Sequence, residues 1–284
     1  MGNLDGKTVG ILGLGQVGGS LAWALKVNRP NIKTAAFDLK PGLMIEAAEK
    51  KIVDQTAPDA AGLVEIADIV VIALPIGDIV EVITRMAPAL KQKELVTDVG
   101  SVMRVIVAAA EQVGYTNYVS GHPLAGTEKR GSEAWKGTLF VGSDYFMTAP
   151  AAADPHSLEL LRELIVGAGA NSVEVRAIAH DLAFATTSNV PHVLAFCLKR
   201  AYDRLSDSGT DKRRFACPSF RGATRVAASD PEMVFQMLWH NREYLAGALR
   251  SLAGELEIVR GALIKNDPET FRQALGLYNG RDWK

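Results

Sequence analysis

Three glycines and one acid within residues 13–38 are spaced as a phosphate cradle requires. In VGILGLGQVGGSLAWAL, Gly13, Gly15 and Gly18 stand between a β-rich apolar run and an apolar helical one, the context in which this glycine spacing binds a dinucleotide. Gly13 permits the tight turn and Gly15 lets the backbone approach a pyrophosphate. Gly18 lets helix and strand pack closely while the helix start, at Gln16 and Val17, offers free N–H donors. Asp38 follows twenty residues after Gly18. There a carboxylate accepts bonds from the adenosine ribose hydroxyls and repels a 2′-phosphate, so NAD is expected over NADP. Lys40, two residues on, reads as a solvated surface group.

A hydride acceptor does not define a reaction; oxidation of an alcohol also needs a base for the hydroxyl proton, and imidazole has the suitable pKa. Of five histidines, His122 stands out. It follows a predicted strand immediately, in SGHPLAGTEKRG, on the same ligand-binding edge as Gly15 and Ser101. The competing reading is a structural histidine bonded to a loop carbonyl. His156, in the first turn of a helix, and His240, in a polar break, read as surface groups. His180 and His192 lie twelve residues apart on one apolar helix, so either both face one cleft or both are satisfied core histidines.

The elements that must position these groups alternate from residue 7 to about 175. Predicted strands are Thr8–Leu14, Thr34–Asp38, Ile69–Leu74, Leu95–Asp98 and Tyr118–Gly121, with Asp144–Ala149 and Ser172–Val175 at the edge. Helical stretches between them build a parallel sheet covered on both faces. ALPIG and DVGSV each leave a strand at its carboxyl end, where open α/β sheets bind ligands, so Leu74, Pro75 and Gly100 join the cofactor's rim. From Ala177 the β signal disappears. IAHDLAFATTSNVPHVLAFCLKRAYDRL reads as one long helix bent at Pro191, which cannot donate its backbone bond. Asp154-Pro155, Asp230-Pro231 and Asp267-Pro268 each place an N-cap acceptor before a proline and should open helices. Val234, Met237, Leu238, Leu245, Leu249, Leu252, Leu256 and Val259 recur at helical steps, as core or as a dimer seam. SDSGTDKRR, at 206–214, is the most loop-like stretch. The fold class expected is α/β: a Rossmann-type, doubly wound, mostly parallel sheet over residues 1–175, followed by an all-α domain over 176–284.

Composition narrows the partners. The 284 residues are 48% hydrophobic and 22% charged, ordinary for a chain with a sizeable core. Thirty-one basic against thirty-two acidic residues give a net charge of −1, with no basic block to track a phosphate backbone or an anionic membrane. Nucleic acid and membrane are excluded as partners, and no apolar run is long enough to span a bilayer. The N-terminus carries an acid ahead of its apolar run, unlike a signal peptide. Cys197 and Cys217 lack paired-ligand spacing and read as small buried hydrophobes, so no metal site is expected and a reducing cytoplasm fits.

GLGQVGGSLA, DVGSV, GHPLAGTEKRG, HDLAFATTSNVPH and GATRVAASDP together resemble the prephenate dehydrogenase family over nearly the whole length, GHPLAGTE being the most discriminating. The resemblance implies that His122 is the catalytic base and that Ser101 bonds the same substrate hydroxyl. It places Glu128 in the family's GTE turn and makes His192 and Arg225 contacts to the substrate and its carboxylates. An Arg suits a carboxylate because its planar fork binds both oxygens, although a surface Arg near a helix end would look the same. Family members often read Ser-His-x-Pro-His where this chain has SNVPH, so Asn189 stands at a substrate-binding position without the charge a histidine can carry.

The implied reaction is NAD-dependent oxidative decarboxylation of prephenate, towards tyrosine, by a cytoplasmic homodimer joined through its helical domain. Rival readings are dehydrogenation of arogenate or of a 4-amino-4-deoxy analogue, another two-domain hydroxyacid or imine dehydrogenase, or a non-catalytic NAD sensor. Lysine-based relatives are disfavoured because TSNVPH occupies the relevant region and Lys199 lies well beyond it.

Overall fold

The computed structural model describes residues 4–127, 131–204 and 215–277. Eight strands form one sheet: β1 (Thr8–Leu12), β2 (Lys33–Phe37), β3 (Gln55–Thr56), β4 (Ile69–Ile72), β5 (Leu95–Asp98), β6 (Tyr118–Pro123), β7 (Asp144–Thr148) and β8 (Asn171–Glu174). Their order is β3-β2-β1-β4-β5-β6-β7-β8. Pairing is parallel from β3 through β6, antiparallel between β6 and β7, and parallel again between β7 and β8. The order reverses direction beside β1, which opens the crevice where such sheets take their ligands.

Helices α1 (Gln16–Asn28), α2 (Pro41–Glu49), α3 (Ala60–Ile66), α4 (Ile76–Arg85), α5 (Ala87–Leu90), α6 (Met103–Val113) and α7 (Pro155–Gly167) belong to the sheet unit. Alternate strand residues feed opposite layers. Val9, Ile11, Ile69, Val71 and Leu95 pack with Leu21 and Leu25 of α1 and Leu161 and Leu164 of α7. Leu12, Val70, Ile72 and Val96 pack with Leu63, Ile79, Ile83 and Ile106 from α3, α4 and α6. Strands buried on both faces read as continuous apolar runs, which is why IVVI carries no polar alternation.

The remaining helices are α8 (Ala177–Phe184), α9 (Val190–Asp203), α10 (Pro218–Ala223), α11 (Pro231–His240), α12 (Arg242–Ile264) and α13 (Pro268–Ala274). Two compact units result: 1–181 with 228–240, and 182–227 with 241–284. All three Asp-Pro helix starts are present. Asp154 accepts from the His156 amide, Asp230 from those of Glu232 and Met233, and Asp267 from that of Thr270.

Several boundaries differ from expectation, each for a local reason. β1 stops at Leu12 because Gly13 turns out of the sheet at φ +100°, a conformation suited to glycine. β6 runs on to Pro123, so His122 lies inside the strand, opposite Phe146 of β7. β3, two residues long, carries no recognisable β pattern. The bend before Pro191 is a π-helical turn over Ala185–Asn189; the wider turn accommodates a residue that lacks an N–H and crowds the preceding turn. Cys197 and Cys217 are both free and exposed in this chain rather than buried: α9 turns Val190 and Ala195 inward in place of Cys197, and Cys217 caps α10, a helix with no buried residue. His240 ends α11 rather than standing in a polar break. The apolar stripe divides at Asn241 into α11 and α12; Val234, Met237 and Leu245 are buried while Leu256 stays exposed.

Candidate active site

The glycine turn is built as the cradle demands. The Gly13 amide donates to the Phe37 carbonyl, and a Cβ on Gly13 would meet the Ala73 carbonyl oxygen at 2.5 Å. A Cβ on Gly18 would lie 2.0 Å from the Gly13 carbonyl oxygen, so helix and turn fit only with hydrogen there. Gly15 differs: nothing comes within 4 Å of its missing Cβ, and it caps α1 without a side-chain acceptor. The open side of the turn and the start of α1 therefore suit a pyrophosphate.

Asp38 sits just beyond β2. Its two oxygens accept the Leu14 amide at 2.7 Å and the Lys40 amide at 2.8 Å, so it ties the glycine turn to the end of β2, and each oxygen retains a second lone pair. Gln16 bonds Thr127 twice, donating from Nε2 to Oγ1 at 2.6 Å and accepting the Thr127 amide at 2.8 Å. The Trp135 indole donates to the carbonyls of Leu14 and Gly15, each at 3.0 Å. The segment after β6 thus grips the cofactor turn, a contact the sequence did not announce. Val17 is half-buried in the first turn of α1, Leu74 is half-buried after β4, and Pro75 caps α4.

Gly100 and Ser101 follow β5. Asp98, fully buried, accepts the Gly100 amide at 2.7 Å and the Tyr118 hydroxyl at 2.6 Å. Burial pushes its carboxyl up to about 6, against the lowering effect of those hydrogen bonds. Asp98 therefore shapes the loop that carries Ser101, a structural part that motif reading missed.

His122 is buried on β6. Its Nδ1 lies 2.8 Å from Nε2 of His180, and Nδ1 of His180 lies 2.8 Å from Oδ1 of Asp181. Asp181 in turn accepts the Met103 amide on Oδ1 at 2.9 Å and the Arg104 amide on Oδ2 at 2.8 Å. Phe146 meets the His180 ring edge-on at 5.5 Å. Burial first, and His180 second, pull the His122 imidazole down to about 3, which leaves it neutral with one nitrogen lone pair. Of the two readings open for His180, the structure places it against His122. Asp181 was missed, yet a signal existed: an acid within IAHDLAFA falls in an apolar helix, where buried carboxylates need donors.

The other candidates lie in the helical unit or outside the described residues. His192 donates from Nδ1 to the Ser188 carbonyl at 2.9 Å, as a neutral or charged ring must. Asn189 is buried and accepts from Asn241 at 2.7 Å. Arg225 is exposed and opens a short 3₁₀ turn, Arg225–Ala228. Glu128 falls outside the described residues.

A nucleotide cradle at the switch point of a doubly wound sheet, with a lone-pair-bearing histidine on β6 of the same sheet, defines a nucleotide-binding dehydrogenase. Comparison with known proteins makes that specific. Residues 21–174 match the nucleotide-binding domain of prephenate dehydrogenase and 176–277 match its dimerization domain. The chain belongs to the prephenate dehydrogenase family. It is 31% identical to the prephenate dehydrogenase of Bacillus subtilis over 265 residues, covering 92% of this chain and 71% of that one. It is also 31% identical to the cyclohexadienyl dehydrogenase of Zymomonas mobilis, covering 92% and 90%. The A. aeolicus prephenate dehydrogenase, solved with hydroxyphenyl propionate and NAD+, superposes with a TM-score of 0.90 at 26% identity over 97% of each chain. Synechocystis arogenate dehydrogenase gives 0.81 at 27% identity, over 96% of this chain and 98% of that one. Among the described residues no helix is long and apolar enough to cross a membrane.

Proposed function

We propose that this enzyme oxidatively decarboxylates prephenate to 4-hydroxyphenylpyruvate with NAD, and that His122 is its general base. The observation that carries the reading is His122 itself: a buried, neutral imidazole on β6, in a sheet whose β1 leads into a glycine turn open at Gly15. The turn, the start of α1 and Asp38 suit a dinucleotide without a 2′-phosphate, and the A. aeolicus relative was solved with NAD+. Bound NAD supplies the hydride acceptor.

In this reading His122 takes the C4 hydroxyl proton on Nε2 as the ring hydride departs, and Ser101 bonds the same oxygen. The resulting dienone is conjugated toward the ring carboxylate, so carbon dioxide leaves and the ring becomes aromatic. The proton held by His122 returns to the phenolate oxygen, and the imidazole is neutral again. Aromatisation provides the driving force; the protein contributes a base and orientation. The family resemblance assigns Arg225 to a substrate carboxylate, and Glu128, His192 and Asn189 to further contacts with the substrate.

Prephenate carries one more negative charge than arogenate, and cationic or polar partners such as Arg225 and His192 favour the more negative substrate. NADH formation from prephenate, arogenate and 4-amino-4-deoxyprephenate tests the assignment directly, with prephenate expected to give the highest kcat/KM. His122→Asn should lower turnover by roughly 10²–10⁴-fold, the contribution of a general base, while changing KM far less. Arogenate preferred by roughly tenfold or more, which is about 1.4 kcal/mol, would transfer the activity to that substrate. A variant that keeps near-parental turnover with chemistry limiting would remove His122 from its role.

A further inference from the structure

The three side chains His122, His180 and Asp181 form a line of hydrogen bonds that ends on the first two amides of α6. Its direction follows from the far end. Met103 and Arg104 offer backbone N–H groups, one to each oxygen of Asp181, and two such donors favour the carboxylate form. A carboxylate has no proton to give. The 2.8 Å contact between Asp181 Oδ1 and His180 Nδ1 must therefore have the imidazole as donor. A neutral ring with its proton on Nδ1 has its lone pair on Nε2. That nitrogen faces His122 Nδ1 at 2.8 Å, so His122 in turn must donate, and its own lone pair is left on Nε2.

We infer that His180 and Asp181 are positioning residues which, anchored on the N-terminus of α6, fix His122 as the Nδ1–H tautomer with Nε2 as its basic nitrogen. The inference rests on His122 being the base. It adds a function for a histidine that a sequence reading would equally assign to core packing. When His122 gains a proton on Nε2, its Nδ1–H bond to His180 stays in place, with the Asp181 carboxylate one ring further back. No proton need leave His122 Nδ1. Opposite His122 in the sheet, Phe146 presents its ring to His180, which limits rotation of that imidazole. The anchor also lies two residues beyond Ser101, so one short segment carries the proposed hydroxyl contact and sets the tautomer of the base.

The assignment can be tested on the parent enzyme by nitrogen-15 NMR of histidine-labelled protein. Both His122 and His180 should show a protonated Nδ1 and an unprotonated Nε2; His122 with its proton on Nε2 would overturn the inference. Substitution adds a kinetic readout. His180→Gln keeps an acceptor where Nε2 stood, whereas His180→Leu removes it. His180→Leu should lose about 10–100-fold in turnover, part of what a general base contributes, with KM nearly unchanged and the His122 proton no longer confined to Nδ1. His180→Gln should recover most of that loss and restore the Nδ1–H signal. Equal losses in the two variants would leave only a packing role and overturn the inference. The His122→Asn result separates the two levels. If that variant retains turnover, the base assignment itself fails; if it is inactive while His180→Leu behaves as the parent, only the positioning role fails.

Discussion

A buried carboxyl records its surroundings in its pKa, and Asp98 does so clearly. Its value is raised from an ordinary 3.8 to about 6, first by burial. Between those two pH values the folded protein holds a proton that the unfolded chain has released. Stability therefore falls as pH rises through this window, and the loss, on the order of 3 kcal/mol, is complete above pH 6. Asp98→Asn keeps an acceptor for the Gly100 amide and removes the charge, so its denaturation midpoint should improve relative to the parent from pH 5 to pH 8. A midpoint difference independent of pH would falsify this account of Asp98. The same residues show what a sequence can disclose. The strand leading to His122 was legible because a short apolar run sets it, although β6 runs on through His122 to Pro123. His180 was not, because its meaning depends on a ring 58 residues away. Asp38 was half legible: its place beside the glycine turn was expected, but its bonds to two backbone amides depend on how the chain folds back on itself.

Elements meet tightly where Trp135 lies over α1. A Cβ added to Gly19 would fall 2.1 Å from the indole Nε1, the atom that donates to Leu14 and Gly15. Gly19→Ala should therefore displace the indole, lower stability by about 1–3 kcal/mol as overpacking does, and weaken NAD binding through the released turn. Melting curves and NAD titration would check this. In Gly19→Ala with Trp135→Leu, stability should partly return while NAD affinity should not. If both recover together, the indole's hydrogen bonds contribute nothing to the turn. Parallel strands and Asp-Pro helix starts were readable because each has a short-range cause. The grip of Trp135 and the π turn before Pro191 were not, since a strand, a loop or a helix face decides them from far along the chain.

At the level of the whole molecule, the sheet order and the alternation of apolar runs led to the same doubly wound architecture, and the helical region was recognisable by its loss of β signal. Its apolar stripe left two uses open. Leu256, Ile258, Leu263 and Ile264 of α12 are all at least half exposed in the single chain, and the family's matching segment is a dimerization domain. The protein should sediment as a homodimer, and a monomer mass independent of concentration would contradict this. A different consequence follows from where Asp181 falls. It is the last residue of the sheet unit before the chain enters the helical one, and its carboxylate is held by two amides of α6. Backbone fluctuation entering from the helical unit thus meets a two-point restraint one residue short of His180. Amides in the first turn of a helix have no intrahelical acceptor and ordinarily exchange with solvent freely. Those of Met103 and Arg104 should instead exchange slowly in deuterated water, and Asp181→Ala should release both together. Fast exchange at either amide in the parent protein would show that the restraint does not persist in solution.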